Sequence, residues 1–125
     1  MTMNNLKDVY TDQLQDLYSA CKQSLEATNA LGRAAEDKEL SEALIDGSNG
    51  IAKGMDVLKS ICAKHDLDPE GEHCHGMEGL VKEAHKHVLE EDFGDSDARL
   101  KLELVKVSVV VTQAQSALAG ALARF

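Results

Sequence analysis

Apolar residues recur at alternating steps of three and four along the first part of the chain, the spacing of one helical face. Over residues 4–34 this stripe comprises Met3, Leu6, Tyr10, Gln13, Leu17, Ala20, Ser24, Ala27 and Leu31, with Val9, Leu14, Cys21 and Leu25 on its flanks. Asn4 or Asn5 can cap the helix, because a short side-chain acceptor satisfies an unpaired backbone N–H. We therefore predict a long first helix whose buried stripe contains one polar residue, Gln13.

The second stretch carries two conflicting signals. Residues 46–50 read Asp-Gly-Ser-Asn-Gly, a composition typical of a turn. The same four-three rhythm nevertheless continues straight through them, at Leu40, Leu44, Gly47, Ile51, Gly54, Leu58 and Ile61. Because a turn would reset the phase, we predict a continuous helix that follows a break near Glu36–Asp37 and runs to about His65. Gly47 and Gly54 should then lie on its packed stripe and let a neighbouring helix approach closely, offsetting a cost of about 1 kcal/mol each.

The remaining pattern predicts one short and one long helix. Pro69 and Gly71 break the chain within residues 66–75, and a short helix should cover residues 77–90. After a loop at 93–97, a last long helix is favoured over a strand because its four-three rhythm lasts to the end of the chain: Leu100, Leu104, Val107, Val111, Ala114, Leu118, Ala121 and Phe125. Short connections make consecutive helices antiparallel. We expect one all-α domain over residues 1–125.

Composition narrows the functional classes. With 125 residues and 43% apolar residues the chain can bury one core, and its net charge of −9 disfavours both nucleic acid and anionic membrane surfaces as partners. An odd number of cysteines, three, indicates free thiols in a reducing compartment. Because neither a signal peptide nor a membrane-spanning apolar run is evident, we expect a cytoplasmic protein.

Two blocks carry a family resemblance: LKDVYTDQLQDLY at residues 6–18 and HCHGMEGLVKEA at residues 73–84, followed by LEED at 89–92. They resemble the LKDLYDAE-like and KCKAMEGL-like stretches of the bacterial ferritin-like family typified by the stress-associated YciE and YciF proteins. The resemblance extends over about residues 6–122 and implies a ferritin-like bundle that is commonly dimeric. In such bundles, inward-facing Glu and sometimes His side chains from facing helices hold two metal ions.

The sequence departs from that family at the implied metal positions. By alignment, Gln13 stands where the first helix should carry Glu, Gly47 at the acidic position of the second helix, and Ile51 at its following Gln or His. In the last helix the two acidic positions fall near Val110 and Gln113. A neutral amide is a poor ligand for iron or manganese, and Gly, Ile and Val supply none. We interpret the di-metal centre as lost.

The family also continues into one more helix beyond the position of Phe125. Three long helices and one short helix without that final helix would leave apolar surface uncovered. We therefore expect a second copy to complete the bundle as a homodimer.

All five histidines and two of the three cysteines fall within residues 62–87. Cys62-x-x-His65 and His73-Cys74-His75 supply ligand types that suit zinc, although not at the spacing of a standard zinc module. The simpler alternative is a solvated loop with both cysteines packed. A redox-sensing Cys74 is a further alternative, because flanking histidines and a helix start both lower a thiol pKa.

Three functions remain open. The first is a non-enzymatic, stress-associated bundle without a resident cofactor, acting as a dimeric structural module or binding an unknown protein partner. The second is a metal-binding protein that holds zinc or iron at the His/Cys loop or at a remnant bundle site. The third is a ferritin-like oxidase, which would need carboxylates at the altered positions.

Overall fold

The structure, a computed structural model, describes residues 3–90 together with Ala98, and side-chain surroundings for residues 3–87 and Ala98. Its elements are α1 (Leu6–Ala34), α2 (Lys38–Lys64), α3 (His75–Ala84) and a π-helical turn (His85–Glu90). The all-α prediction is confirmed, and the predicted helix at 97–125 lies outside the described residues. None of the described helices combines the length and apolar character needed to cross a membrane.

The helix limits follow local signals in the sequence. Asn5 caps α1 by accepting a hydrogen bond from the Asp8 N–H at 2.9 Å, and Asp37 caps α2 by accepting from the Glu39 N–H at 3.0 Å. α2 passes through residues 46–50 without interruption, so the continuous helix is confirmed and a turn there is excluded. With a rise of 1.5 Å per residue, α1 is about 43 Å long.

Antiparallel packing of α1 on α2 forms most of the described core. One buried cluster contains Leu14, Tyr18, Met55, Leu58 and Cys62. A second lies towards the other end of the helix pair, where Leu31 and Leu44 meet Ala84 of α3. Burying a large apolar side chain contributes about 1.5–3 kcal/mol, so these two clusters hold the helix pair together and attach α3 to it.

In the first half of α1 the buried face is rotated from the predicted stripe, whereas Ala27 and Leu31 of that stripe are buried as predicted. Leu14 and Tyr18 are buried, whereas Leu6, Tyr10 and Leu17 are exposed by 42–50%. Gln13, predicted to lie inside the stripe, is also exposed. The prediction was wrong here because buried polar residues extend the contact face on the other side: Asp12, Gln15 and Ser19.

The predicted role of the α2 glycines is also wrong in the described part of the chain. Gly47 and Gly54 are exposed, and no described atom lies within 4 Å of a Cβ placed on either. The close approach occurs at Gly32 of α1 instead. A Cβ there would lie 2.9 Å from Cδ1 of Ile45 and 3.3 Å from Cβ of Leu44. The glycine that permits helix contact is therefore on α1.

A left-handed residue ends α2 and directs the chain back towards α1. Asp66 has φ of 57°, and its N–H donates to the Ala63 carbonyl at 3.2 Å. The next N–H, that of Leu67, donates to the Cys62 carbonyl at 2.9 Å, and the Leu67 side chain packs on the first core cluster. This pair of bonds is a Schellman motif, which satisfies the last carbonyls of the helix.

Candidate functional site

A polar stripe on α1 holds the loop that precedes α3. Gln15, Ser19 and Gln23 are spaced by four residues and share one face. Gln15 Nε2 donates to the Asp68 carbonyl at 2.8 Å, and Ser19 Oγ accepts from the Cys74 N–H at 2.9 Å. Gln23 Nε2 donates to the Cys74 carbonyl at 3.0 Å. The stripe therefore bonds to the loop backbone, in addition to the bonds that the Asp68 and Cys74 carbonyls accept from the N–H groups of Gly71 and Glu78.

Two further contacts fix the path of the loop. Lys22 Nζ lies 2.6 Å from Glu70 Oε1, and this hydrogen bond and the charge of Glu70 raise the pKa of Lys22. Both side chains are about half exposed, so the ion pair contributes little to stability. Gly71 lies directly against the Gln15 amide, where a Cβ would displace it. The loop is thus seated on α1 through both backbone and side-chain contacts.

Cys74 ends the loop and caps α3. Its Sγ accepts a hydrogen bond from the Met77 N–H at 3.5 Å. Burial raises the pKa of the Cys74 thiol and outweighs the lowering by the helix N–H groups, and the neighbouring carboxylate of Asp16 raises it further. The helix start lowers the pKa of Cys74 as predicted, but burial has the larger effect, so the net shift is upward. The geometry favours a protonated, structural thiol over a reactive one.

The structure separates the five residues predicted as metal ligands. Cys62 is fully buried in the first core cluster, because it lies on the face of α2 that packs against Leu14. His65 ends α2 with its ring edge-on to Tyr10, at a centroid distance of 5.3 Å. His73 and His75 contact Glu78 instead. All three cysteines are free, as predicted.

His73, His75 and Glu78 converge on the surface at the start of α3. Oε2 of Glu78 lies 2.5 Å from Nε2 of His73 and 3.6 Å from Nδ1 of His75. Their ligand atoms all lie within 4.8 Å of one another. This triad is the one group of three or more His, Cys, Asp or Glu ligands found among the described residues.

Positive charge around Glu78 keeps its carboxylate ionised. Lys82 Nζ contacts Oε1 of Glu78 at 2.7 Å. The hydrogen bonds from Lys82 and then His73 lower the pKa of Glu78 to about 2. The ligand set predicted from the sequence omitted Glu78 because it contained only Cys and His residues. The signal was nonetheless present, since His75 and Glu78 are three residues apart at a helix start and therefore share a face.

The implied di-metal positions contain no carboxylate where the structure describes them. Gln13 is exposed, and its amide donates to Oδ2 of the adjacent Asp12 at 3.2 Å. Gly47 is exposed, and Ile51 is half-buried against the first core cluster. The remaining two positions, Val110 and Gln113, lie outside the described residues.

The all-α architecture and its match to a solved ferritin-like fold define the class as a ferritin-like helical bundle. The chain belongs to the family described as Domain of unknown function (DUF892), which matches residues 5–125. It is 32% identical over 91 residues to Protein YciF of Escherichia coli, a match that covers 70% of this chain and 54% of that protein. The chain thus matches about half the length of this curated relative.

Two solved structures share the fold. The crystal structure of the Escherichia coli stress protein YciF superposes with a TM-score of 0.80 at 28% identity, covering 94% of this chain and 76% of that one. YcfI of Rhodopseudomonas palustris, for which a structural role has been suggested, superposes with a TM-score of 0.74 at 25% identity. That match covers 83% of this chain and 67% of the other. The family resemblance in the sequence is therefore confirmed.

Proposed function

We propose that this chain is a non-enzymatic structural or interaction module in which the di-metal centre of the ferritin-like bundle has been lost. The observation that carries the proposal is the chemistry at Gln13, Gly47 and Ile51. A pair of iron or manganese ions needs carboxylates to balance its charge, and these residues offer an amide, no side chain and an alkyl group. An oxidase would lack these α1 and α2 ligands.

The relatives support a stress-associated structural role. The fold is shared with the stress protein YciF and with YcfI, for which a structural role has been suggested. A net charge of −9 makes a protein partner more compatible with this surface than nucleic acid or an anionic membrane. We therefore propose that it acts in the cytoplasm, in protein assembly.

The proposed assembly is a homodimer. The first part of α1 and the residues just before it expose large apolar side chains: Met3, Leu6, Val9, Tyr10 and Leu17. An interface with twofold symmetry uses the same patch on both subunits, so an apolar helix face can pair with its own copy. Pairing of two copies through this patch would remove the exposed apolar surface of α1 from water.

Light scattering on the purified chain at micromolar concentration tests this assembly. The wild type should give the mass of a dimer, and Leu17→Asp should give a monomer because it buries a charge in the interface. Ala43→Asp adds the same charge at an exposed site on α2 and should remain dimeric. A monomeric wild type would contradict the homodimer.

Iron oxidation tests the loss of the catalytic centre. Gln13→Glu restores one carboxylate but leaves Gly47 and Ile51 without ligands, so it should bind no more iron than the wild type and should not consume oxygen with ferrous iron. If this single variant gained both properties, the assignment of the di-metal positions would be wrong.

A further inference from the structure

The loop and the first turn of α3 together present three potential metal-ligand side chains on one side of the chain. Cys74 has an extended backbone, with φ of −83° and ψ of 101°. In extended chain, residues two apart project to the same side, which brings His73 and His75 together. Their rings pack edge to face with centroids 4.9 Å apart. Although His73 and His75 do not have the spacing of a standard zinc module in the sequence, their side chains therefore lie close together in space.

The triad is held by contacts that do not involve its own side chains. The backbone of Cys74, the residue between the two histidines, is bonded on both sides to α1. Its N–H donates to Ser19 and its carbonyl accepts from Gln23. Cys74 also caps the helix that carries His75 and Glu78. The ligands thus start from a backbone already fixed in place, which reduces the conformational entropy lost on binding a metal.

We propose that His73, His75 and Glu78 form a site for a divalent transition metal of the zinc class. Two imidazoles and one carboxylate are a donor set that zinc accepts, with solvent in the fourth position. The imidazoles disfavour calcium and magnesium, which prefer oxygen ligands. The site lies outside the di-metal positions of the bundle and does not depend on their loss.

The two carboxylate oxygens of Glu78 have different partners. Oε2 faces both histidines, and Oε1 is held by Lys82 at 2.7 Å. A hydrogen bond to the outer oxygen of a ligating carboxylate fixes its orientation. A metal at Oε2 would replace the hydrogen bond between His73 and Glu78, and Nδ1 of His73 would then carry the ring proton. The histidine side chains are 51% and 87% exposed, which leaves the metal accessible to solvent.

Calorimetric titration of the untagged full chain with zinc chloride tests the site. The wild type should bind one zinc ion per chain. His73→Ala, His75→Ala and Glu78→Gln should each weaken binding by at least about tenfold, since even outer-shell partners of a metal are worth 10–100-fold.

His87→Ala is the matched control. His87 Nε2 also contacts a glutamate, with Oε2 of Glu83 at 3.1 Å, but this pair lies outside the triad. The control should bind zinc as the wild type does. Circular dichroism should show that each variant stays helical. Failure of the wild type to bind zinc, or equal affinities for His73→Ala and His87→Ala, would overturn the proposal.

Discussion

Ser19 Oγ accepts a hydrogen bond from the backbone N–H of Cys74 at 2.9 Å, across 55 residues of sequence. Ser19 is 7% exposed and also accepts from Gln23 at 3.2 Å. The bond joins α1 to the loop that presents His73 and His75. It therefore links the packing of the helix pair to the geometry of the candidate site.

Ser19→Ala should destabilise the protein by about 1–3 kcal/mol, because it leaves the Cys74 N–H without this acceptor. Ser60→Ala is the control, since the exposed Ser60 hydroxyl donates to the Asp56 carbonyl of its own helix. That change should stay within about 0.5 kcal/mol. Urea unfolding followed by circular dichroism measures both values. Equal effects of the two variants would show that the loop bond contributes nothing.

Gly32 should resist replacement, although alanine is the better helix former. A Cβ at Gly32 meets Leu44 Cβ at 3.3 Å, an atom fixed to the backbone of α2. A Cβ at Gly79 of α3 meets no described atom within 4 Å. Gly79→Ala should therefore gain up to about 1 kcal/mol, and Gly32→Ala should lose that gain or destabilise. If chemical denaturation gave Gly32→Ala the larger gain, the close helix approach would be wrong.

The ion-paired Glu78 should give a pH-dependent contribution to stability. Its pKa is about 2 in the folded chain, below the ordinary value of 4.5, so its stabilisation is present above about pH 4.5 and lost as the pH falls towards 2. The melting temperature of the wild type should exceed that of Glu78→Gln near pH 5.5, and the difference should disappear near pH 2.

Glu72→Gln is the control for this titration, because it removes an exposed carboxylate from the same loop. The difference in melting temperature between Glu72→Gln and the wild type should change less between pH 5.5 and pH 2. A gap for Glu78→Gln that stayed constant between pH 5.5 and pH 2 would argue against the ion pairs with Lys82 and His73.

Cys74 should react slowly with iodoacetamide near neutral pH, because burial raises its pKa and only the thiolate attacks. Labelling should accelerate at alkaline pH, while the fully buried Cys62 stays unmodified in the folded protein. Peptide mass spectrometry resolves the two sites. Labelling of Cys74 faster than free cysteine at neutral pH would instead favour the redox-sensing alternative.

The limits of α1 and α2 could be predicted from the sequence because they depend on local signals, whereas the short helix predicted at 77–90 begins earlier and continues from His85 as a π-helical turn. Asn5 and the unbroken rhythm through residues 46–50 were sufficient to place α1 and α2. The buried face of α1 could not be predicted in the same way. A count of apolar residues favours Tyr10 and Leu17, but burial of Ser19 becomes favourable only through a partner 55 residues away.

The candidate site was predictable only in part. The cluster His73-Cys74-His75 was visible, and the extended backbone at Cys74 then decides which side chains meet. Cys62 is not part of the site because it is buried in the first core cluster. The spacing of Cys and His residues in the sequence does not indicate this burial. Glu78 is placed by helix geometry and enters the site from outside the His/Cys pattern.

The metal content of the untagged chain after aerobic incubation with ferrous iron and manganese tests the central claim most directly. Elemental analysis should find far fewer than two of these ions per chain, because Gln13, Gly47 and Ile51 supply no carboxylate. Two iron or manganese ions per chain, retained through gel filtration and in His73→Ala, would contradict the loss of the di-metal centre.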